Sequence, residues 1–145
     1  MENAAWDIAP ARDGGVIPSF LQPLDRAIPM IATADVGSAA AALLQRDWEG
    51  VHIAELQGPA PVSPLDIAAT LATLLDRPVR AEAVPHAEWE GLFRAQGMRN
   101  PLPRIQMVDG FNQGWIAFGA PGAERLRGTT TLEQVLGRLV ARAIC

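Results

Sequence analysis

Two amphipathic helices with polar N-terminal caps constrain the fold of this chain more than any other feature. The first begins with the capping box Ser63-Pro64-Leu65-Asp66, which has proline at the first helical position. Its apolar residues recur at helical spacing: Ile67, Leu71, Leu74 and Leu75. The second follows a capping box predicted over Thr130–Glu133, and its apolar residues also form one stripe: Leu132, Val135, Leu136, Leu139 and Val140. Each stripe needs a second apolar layer to cover it.

Short strand patterns alternate with helical patterns in the rest of the chain. Val79–Val84 alternates with a period of two, and Ile28–Ala32 and Val51–Leu56 are short apolar runs typical of strands. Three weaker helices are predicted: one through Val36 and Leu44 that Thr33 or Asp35 can cap, one around Trp89–Phe93, and one over Ile105–Phe118. The pattern predicts an α/β (α+β-like) fold with about five helices and a small sheet of about three short strands.

The length of 145 residues predicts a single domain over residues 1–145. Residues 1–27 contain Pro10, Pro18 and Pro23 as well as Gly14-Gly15. Proline and glycine at this density interrupt regular structure, so these residues are predicted to form an extended, loop-rich N-terminal arm, apart from a short helical start over residues 3–8.

The composition excludes several classes of protein. The net charge is −4 and the arginines are scattered, which argues against a nucleic-acid-binding surface. No apolar stretch approaches the ~20 residues of a membrane span, and the N-terminus lacks the pattern of a signal peptide. The single cysteine, Cys145, is predicted to be an exposed tail thiol and fits a reduced compartment, so a cytoplasmic location is expected.

Four segments have a pattern, order and spacing in common with one known family. They are Ile28–Gly37, Ser63–Val79, Asp109–Ile116 and Arg127–Glu133. Together they resemble the NmrA-like group of atypical short-chain dehydrogenases/reductases. The resemblance covers nearly all of this chain but only about the second half of a family member, which is the substrate-side half. In such relatives a Rossmann domain comes first and binds NADP or NAD.

The features of a cofactor site are missing from this sequence. A dinucleotide site needs a glycine turn between a strand and a helix N-terminus, and Gly119-Ala120-Pro121-Gly122 has neither the spacing nor the context. The chain contains no tyrosine, and its 12 basic residues are all arginine, so a Tyr–Lys proton relay is impossible. We therefore expect no cofactor-binding residues and no autonomous NAD(P)-dependent reductase activity.

One cluster is a candidate ligand wall. On the predicted helix over Ile105–Phe118, Phe111, Asn112 and Trp115 would share a face, with Met107 one turn earlier. Aromatic rings around one amide are typical of a small-molecule site, and the resemblance places this stretch close to a substrate cleft. The alternative is that the rings are core and the Asn112 amide binds nearby backbone.

His52 and His86 are the two histidines and the weak candidates for a catalytic role. Either can exchange a proton near neutral pH, but no signature pairs them with a nucleophile. No His, Cys, Asp and Glu pattern has the spacing of metal ligands, so no metal site is predicted.

Three functions from different classes follow. The leading hypothesis is a stand-alone domain that binds a small, largely apolar molecule. The second is a cofactor-free acid/base enzyme that uses His52 or His86. The third is a truncated NAD(P)-binding family protein that acts as a subunit or needs an upstream Rossmann partner. Under all three, a homodimer or a partner chain is expected to cover the surface that a Rossmann domain covers in relatives.

Overall fold

The computed structural model describes residues 1–144, so Cys145, the predicted tail thiol, lies outside the described residues. The 3-10 helices are η1 (Glu2–Asp7) and η2 (His86–Glu88). The α-helices are α1 (Ile8–Gly14), α2 (Thr33–Leu44), α3 (Pro64–Leu75), α4 (Trp89–Ala95), α5 (Leu102–Gln113) and α6 (Leu132–Ile144). The strands are β1 (Val16–Ser19), β2 (Ile28–Pro29), β3 (Ala54–Gln57), β4 (Pro61–Val62), β5 (Arg80–Ala83) and β6 (Glu124–Arg127).

This mixture of helices and strands confirms the predicted α/β class, with counts slightly above those expected. Instead of one sheet of about three strands, residues 1–144 form three sheets of two strands each. The pairs β1–β5 and β3–β6 are parallel, and β2–β4 is antiparallel. Two-stranded sheets are marginal by themselves, so helices must cover them. Within residues 1–144, no helix has both the length and the apolar character needed to cross a membrane.

The main core lies where α3 and α6 pack against each other and against η1, α1 and the β1–β5 sheet. Leu71 of α3 and Leu136 of α6 are fully buried, and Ile17 of β1 is nearly so. Burial of one such side chain stabilises the fold by about 1.5–3 kcal/mol. The two predicted amphipathic stripes thus meet in one apolar layer.

A second, smaller core joins α4 and α5 to the segment that follows β1. Trp89 and Phe93 of α4 are buried with Val84 and Val108, and Phe20 packs on both rings. The Trp89 indole Nε1 donates a hydrogen bond to the Val84 carbonyl at 2.8 Å, so its polar atom is satisfied. This core fixes the position of α5, the helix of the predicted ligand wall.

The capping box at the start of α3 is confirmed. The Asp66 amide donates to Ser63 Oγ at 3.2 Å, and the Ser63 amide donates to Asp66 Oδ2 at 2.8 Å. At α6 the capping box is one residue later than predicted. The backbone amide of Gln134 donates to Thr131 Oγ1, and the backbone amide of Thr131 donates to Gln134 Oε1.

The predicted cap of α2 is wrong, because a distant carboxylate takes that role. The amide and hydroxyl of Thr33 both donate to Glu2 Oε1 at 3.0 Å, while Asp35 caps no group of its own helix. Glu2 lies 31 residues earlier in the chain, so no local pattern points to this contact.

The first 27 residues contain more regular structure than their prolines predict. Glu2–Gly14 is almost continuously helical, and β1 follows at Val16–Ser19. Pro10 lies in the first turn of α1, where proline is tolerated because its fixed φ suits the helix. Pro18 is tolerated in β1 because a two-stranded sheet leaves one edge of each strand unpaired.

Asp7 provides a test of this packing. Its side chain is half-buried at the end of η1, and burial raises the pKa of its carboxyl from 3.8 to about 7. The charged form is disfavoured in the folded chain, so Asp7 costs stability as the pH rises through 3.8 to about 7. We expect Asp7→Asn to raise the free energy of unfolding at pH 8 by up to ~4 kcal/mol and to change it little at pH 4.

Urea unfolding at both pH values measures this effect. Asp13→Asn is the matched control, since Asp13 is exposed and the hydrogen bond from Arg12 lowers the pKa of its carboxyl. If Asp13→Asn raised the free energy of unfolding at pH 8 as much as Asp7→Asn does, the raised pKa of Asp7 would not explain the effect.

Candidate ligand-binding groove

An open groove of about 310 Å³ lies between α2 and one face of the β3–β6 sheet. Small-molecule sites in proteins typically have volumes of roughly 300–1,000 Å³, so the groove is at the small end of that range. The residues that line it come from α2, both strands and the segment after β6: Asp35, Ser38, Ala39, Ala42, Leu43, Arg46, Leu56, Leu126, Arg127, Gly128 and Thr129.

The floor of the groove is apolar because of strand alternation and small side chains. Leu56 and Leu126 are partners in the β3–β6 register and line the groove together. Ala39 and Ala42 of α2 lie over them, and their methyl groups are too short to fill the space. No residue of α2 is buried, so the contact between helix and sheet stays open.

One end of the groove is closed by Asp35. Its carboxylate accepts hydrogen bonds from the Thr130 amide at 2.9 Å and from Thr130 Oγ1 at 2.8 Å. These bonds, the amide first, lower the pKa of the Asp35 carboxyl, so it is ionised at neutral pH. Gly128 permits this approach, since a Cβ there would lie 2.8 Å from Asp35 Cγ and 2.9 Å from Asp35 Cβ.

The opposite end carries a charged cluster around Glu124. Arg46 Nη1 donates to both oxygens of Glu124, at 2.9 and 2.8 Å. His52 Nε2 lies 2.9 Å from Glu124 Oε2, and the Trp48 ring stacks on the His52 ring with centroids 5.6 Å apart. Arg46 first, and then His52, lower the pKa of the Glu124 carboxyl.

This arrangement fixes the tautomer of His52. An ionised carboxylate only accepts hydrogen bonds, so Nε2 carries the proton and donates to Glu124. In the neutral ring, Nδ1 is then the basic nitrogen. His52 lies two residues before β3, whereas the sequence predicted it inside a strand over Val51–Leu56; β3 begins at Ala54.

The other face of the β3–β6 sheet holds a second carboxylate. Glu55 accepts hydrogen bonds from the amides of Gly119 and Ala120, each at 2.7 Å, and these bonds, Ala120 first, lower the pKa of its carboxyl. A cavity of about 100 Å³ lies beside it, lined also by Phe118 and Arg125. Glu55 thus ties the segment after α5 to β3.

Asn112 of the predicted ligand wall already has two backbone partners. Its Oδ1 accepts from the Gln22 amide at 2.8 Å, and its Nδ2 donates to the Phe20 carbonyl at 2.9 Å. The amide therefore joins α5 to the segment after β1, which is the alternative that the sequence left open. These partners are about 90 residues away in sequence.

The prediction that Trp115 shares a helix face with Phe111 is wrong. α5 ends at Gln113 because Gly114 adopts the left-handed conformation, with φ of 81°. Trp115 lies beyond the helix and is 63% exposed, and Met107 is 47% exposed. Phe111 is half-buried. That these three side chains contact a ligand stays a prediction.

His86 is also paired with a carboxylate, away from the groove. Its Nε2 lies 3.1 Å from Asp109 Oδ1, and its ring packs on the Trp89 ring at 4.4 Å. The pair links η2 to α5 on an exposed surface. The structure therefore does not bring the two histidines into one site, since His52 contacts Glu124 and His86 contacts Asp109.

No family model and no curated protein matches this chain. Over residues 1–144, no three His, Cys, Asp or Glu side chains are grouped so that they could hold a metal ion.

The groove residues were not predicted from the sequence. Helix periodicity places Ala39, Ala42 and Leu43 on one side of α2, but it does not show what that side faces. The pairing of β3 with β6 joins residues about 70 positions apart, and β6 itself was not predicted. The nearest sequence signal is the run Ser38–Leu44, whose small residues indicate a close or unfilled helix contact.

Gly128 gives a direct test of the closed end. We expect Gly128→Ala to lower the free energy of unfolding by about 2 kcal/mol, because the new methyl group displaces Asp35 and weakens its bonds to Thr130. Thermal and urea unfolding measure the change. Gly137→Ala is the control: its Cβ would lie 3.9 Å from Leu74 Cδ2, and alanine is favoured in a helix. It should stabilise the chain by up to ~1 kcal/mol, and a loss in both variants would contradict the explanation.

Proposed function

We propose that this chain binds a small, largely apolar molecule in the groove between α2 and the β3–β6 sheet, without autonomous NAD(P)-dependent reductase activity. The observation that carries the proposal is the groove itself, about 310 Å³ in volume with an apolar floor between two polar ends. Apolar lining with a few placed polar groups is the usual composition of a ligand site. The floor suits an apolar body, and the end at Arg46 suits a polar or negatively charged group.

The resemblance to the substrate-side half of NmrA-like proteins forms part of this proposal. Two of the segments that carry it, Ile28–Gly37 and Arg127–Glu133, contact each other through Asp35 and Thr130. Both segments supply residues at the same end of the groove. The groove is favoured over the wall predicted around Phe111 because the Asn112 amide already has backbone partners.

We also propose that the chain forms a homodimer or binds a partner chain, in the cytoplasm. The segment Leu44–Ile53 supports this, since Leu44 is 81% exposed and Val51 is 92% exposed. The single cysteine is in keeping with a reducing compartment. A monomer at all concentrations in sedimentation velocity would contradict the dimer.

Proton transfer by His52 is the second candidate function. The contact between His52 and Glu124 supports it, because the carboxylate orients the ring and leaves Nδ1 as a base. Arg46, which lines the groove, binds the same carboxylate. In this reaction Nδ1 would take a proton from an acidic C–H or O–H group of the ligand and later return it, with the electron pair staying on the ligand.

Filling the groove tests the binding function. We expect Ala39→Phe to reduce the binding of 1-anilinonaphthalene-8-sulfonate and of 2-naphthol by at least about tenfold, since a benzyl group occupies the floor. Fluorescence titration and calorimetry measure the affinities. Ala41→Phe is the matched control, because Ala41 lies on α2 but does not line the groove. This variant should bind both probes with the affinity of the wild-type chain.

Two results would contradict this proposal. One is that the Ala39→Phe and Ala41→Phe variants bind the two probes with equal affinity. The other is a thermal shift of the wild-type chain with NADPH or NADH, which would support a nucleotide-dependent enzyme instead. Circular dichroism on both variants separates a filled groove from a disturbed fold.

Deuterium exchange tests the second candidate. The wild-type chain, incubated in D₂O with small ketones that have acidic α-hydrogens, should accelerate loss of the α-proton NMR signal if His52 is a base. We then expect His52→Asn to lower that rate by about 100-fold and His86→Asn to leave it unchanged. Equal rates in the two variants would exclude His52.

A further inference from the structure

Arg104, in the first turn of α5, lies over two aromatic rings. Its guanidinium carbon lies 4.4 Å from the centroid of the Phe93 ring and 4.7 Å from that of the Trp6 ring. Phe93 is fully buried in the smaller core, whereas Trp6 of η1 is 63% exposed. Three separate helices thus hold one half-buried guanidinium group against aromatic rings.

The N–H edge of this group has no acceptor among residues 1–144. Burial alone lowers the pKa of Arg104, with no carboxylate and no hydrogen bond acting against it. Most arginines have a partner, for example Arg46 with Glu124 and Arg94 with Glu90 at 2.8 Å. Arg99, Arg138 and Arg142 also have no acceptor among residues 1–144, but they are exposed, whereas Arg104 is half-buried. No buried side-chain nitrogen or oxygen among the described residues lacks a partner, so the N–H groups of Arg104 reach solvent. The guanidinium group is thus partly desolvated by the rings, while its N–H edge is free to bind an acceptor.

The geometry suits one class of ligand. A guanidinium group presents its N–H donors in one plane, and carboxylate or phosphate oxygens accept two of them in parallel. The rings restrict the position of the group, and its N–H donors have no acceptor among residues 1–144. A lysine ammonium group at the same position would offer charge without this planar fork.

We propose that Arg104 binds an oxyanion, the carboxylate or phosphate group of a small molecule, through its N–H edge, with Trp6 and Phe93 holding the guanidinium group in position. The site uses η1, α4 and α5, whereas the groove uses α2, β3 and β6. The inference therefore does not depend on the function proposed for the groove.

Titration of the whole chain with inorganic phosphate, and separately with acetate, at constant ionic strength tests this site. The NMR signal of the Arg104 side-chain N–H is expected to shift and saturate with at least one of the two anions. Arg104→Lys should weaken that binding by at least about tenfold, because the charge stays but the paired hydrogen bonds are lost. Arg99→Gln is the matched control: Arg99 is exposed in the segment just before α5, and its loss should leave the affinity within about twofold of the wild type.

The two anions distinguish the source of the ligand group. Saturation with phosphate alone assigns a phosphate site, and saturation with acetate alone assigns a carboxylate site. Three results would overturn the proposal. They are NMR shifts that never saturate in the wild-type chain, an unchanged anion affinity in Arg104→Lys, or a loss of anion affinity in Arg99→Gln as large as that in Arg104→Lys. The first of these needs no variant, so it decides the question even if substitution of Arg104 disturbs the fold. In each of these cases the guanidinium group only packs against the two rings.

Discussion

The contact between α3 and α6 supports the rest of the structure. Leu71 and Leu136 are fully buried where these two helices meet, and the same apolar layer covers η1, α1 and the β1–β5 sheet. A sheet of two strands cannot bury enough apolar surface to be stable in water by itself. The β1–β5 pair therefore exists because the helices cover it, and β5 in turn leads directly to the smaller core around Trp89 and Phe93.

α2 is attached in a different way. It buries no residue, and carboxylates hold it at both ends: Glu2 binds Thr33, Asp35 binds Thr130, and Glu124 binds Arg46 just beyond the last turn. Polar contacts at exposed positions contribute much less than apolar burial. The groove stays open because α2 has no buried side chain that would hold it against Leu56 and Leu126. A region held in this way opens locally at a lower free energy than the core.

Local sequence patterns were sufficient to predict the elements whose residues form a complete motif within a short segment. The capping box at Ser63 and the stripes of α3 and α6 lie within a few turns of sequence, and the structure contains both helices. The alternation over Val79–Val84 likewise marks β5 to within one residue at each end. Strand β1 was missed because Pro18 argues against a strand unless the strand is known to have a free edge.

The candidate sites depended on contacts that no local pattern contains. Asn112 finds its partners about 90 residues earlier, and the acceptor of Thr130 is Asp35, 95 residues away. Trp115 was placed on a helix face because periodicity was extended through Gly114, where the left-handed backbone ends α5. The sequence likewise does not show that Arg104 lacks an acceptor, because this depends on where the fold places the carboxylates.

The pairing of β3 with β6 has a consequence for how the chain folds. Ala54 pairs with Glu124, so the two strands can meet only after a loop of about 70 residues closes. The entropy of closing a long loop must be overcome before its contacts contribute, which makes such pairings slow. During synthesis on the ribosome, β3 and α2 emerge long before their partner strand. β6 is the last strand of the chain and only α6 follows it, so the groove is expected to form only when nearly the whole chain has been synthesised.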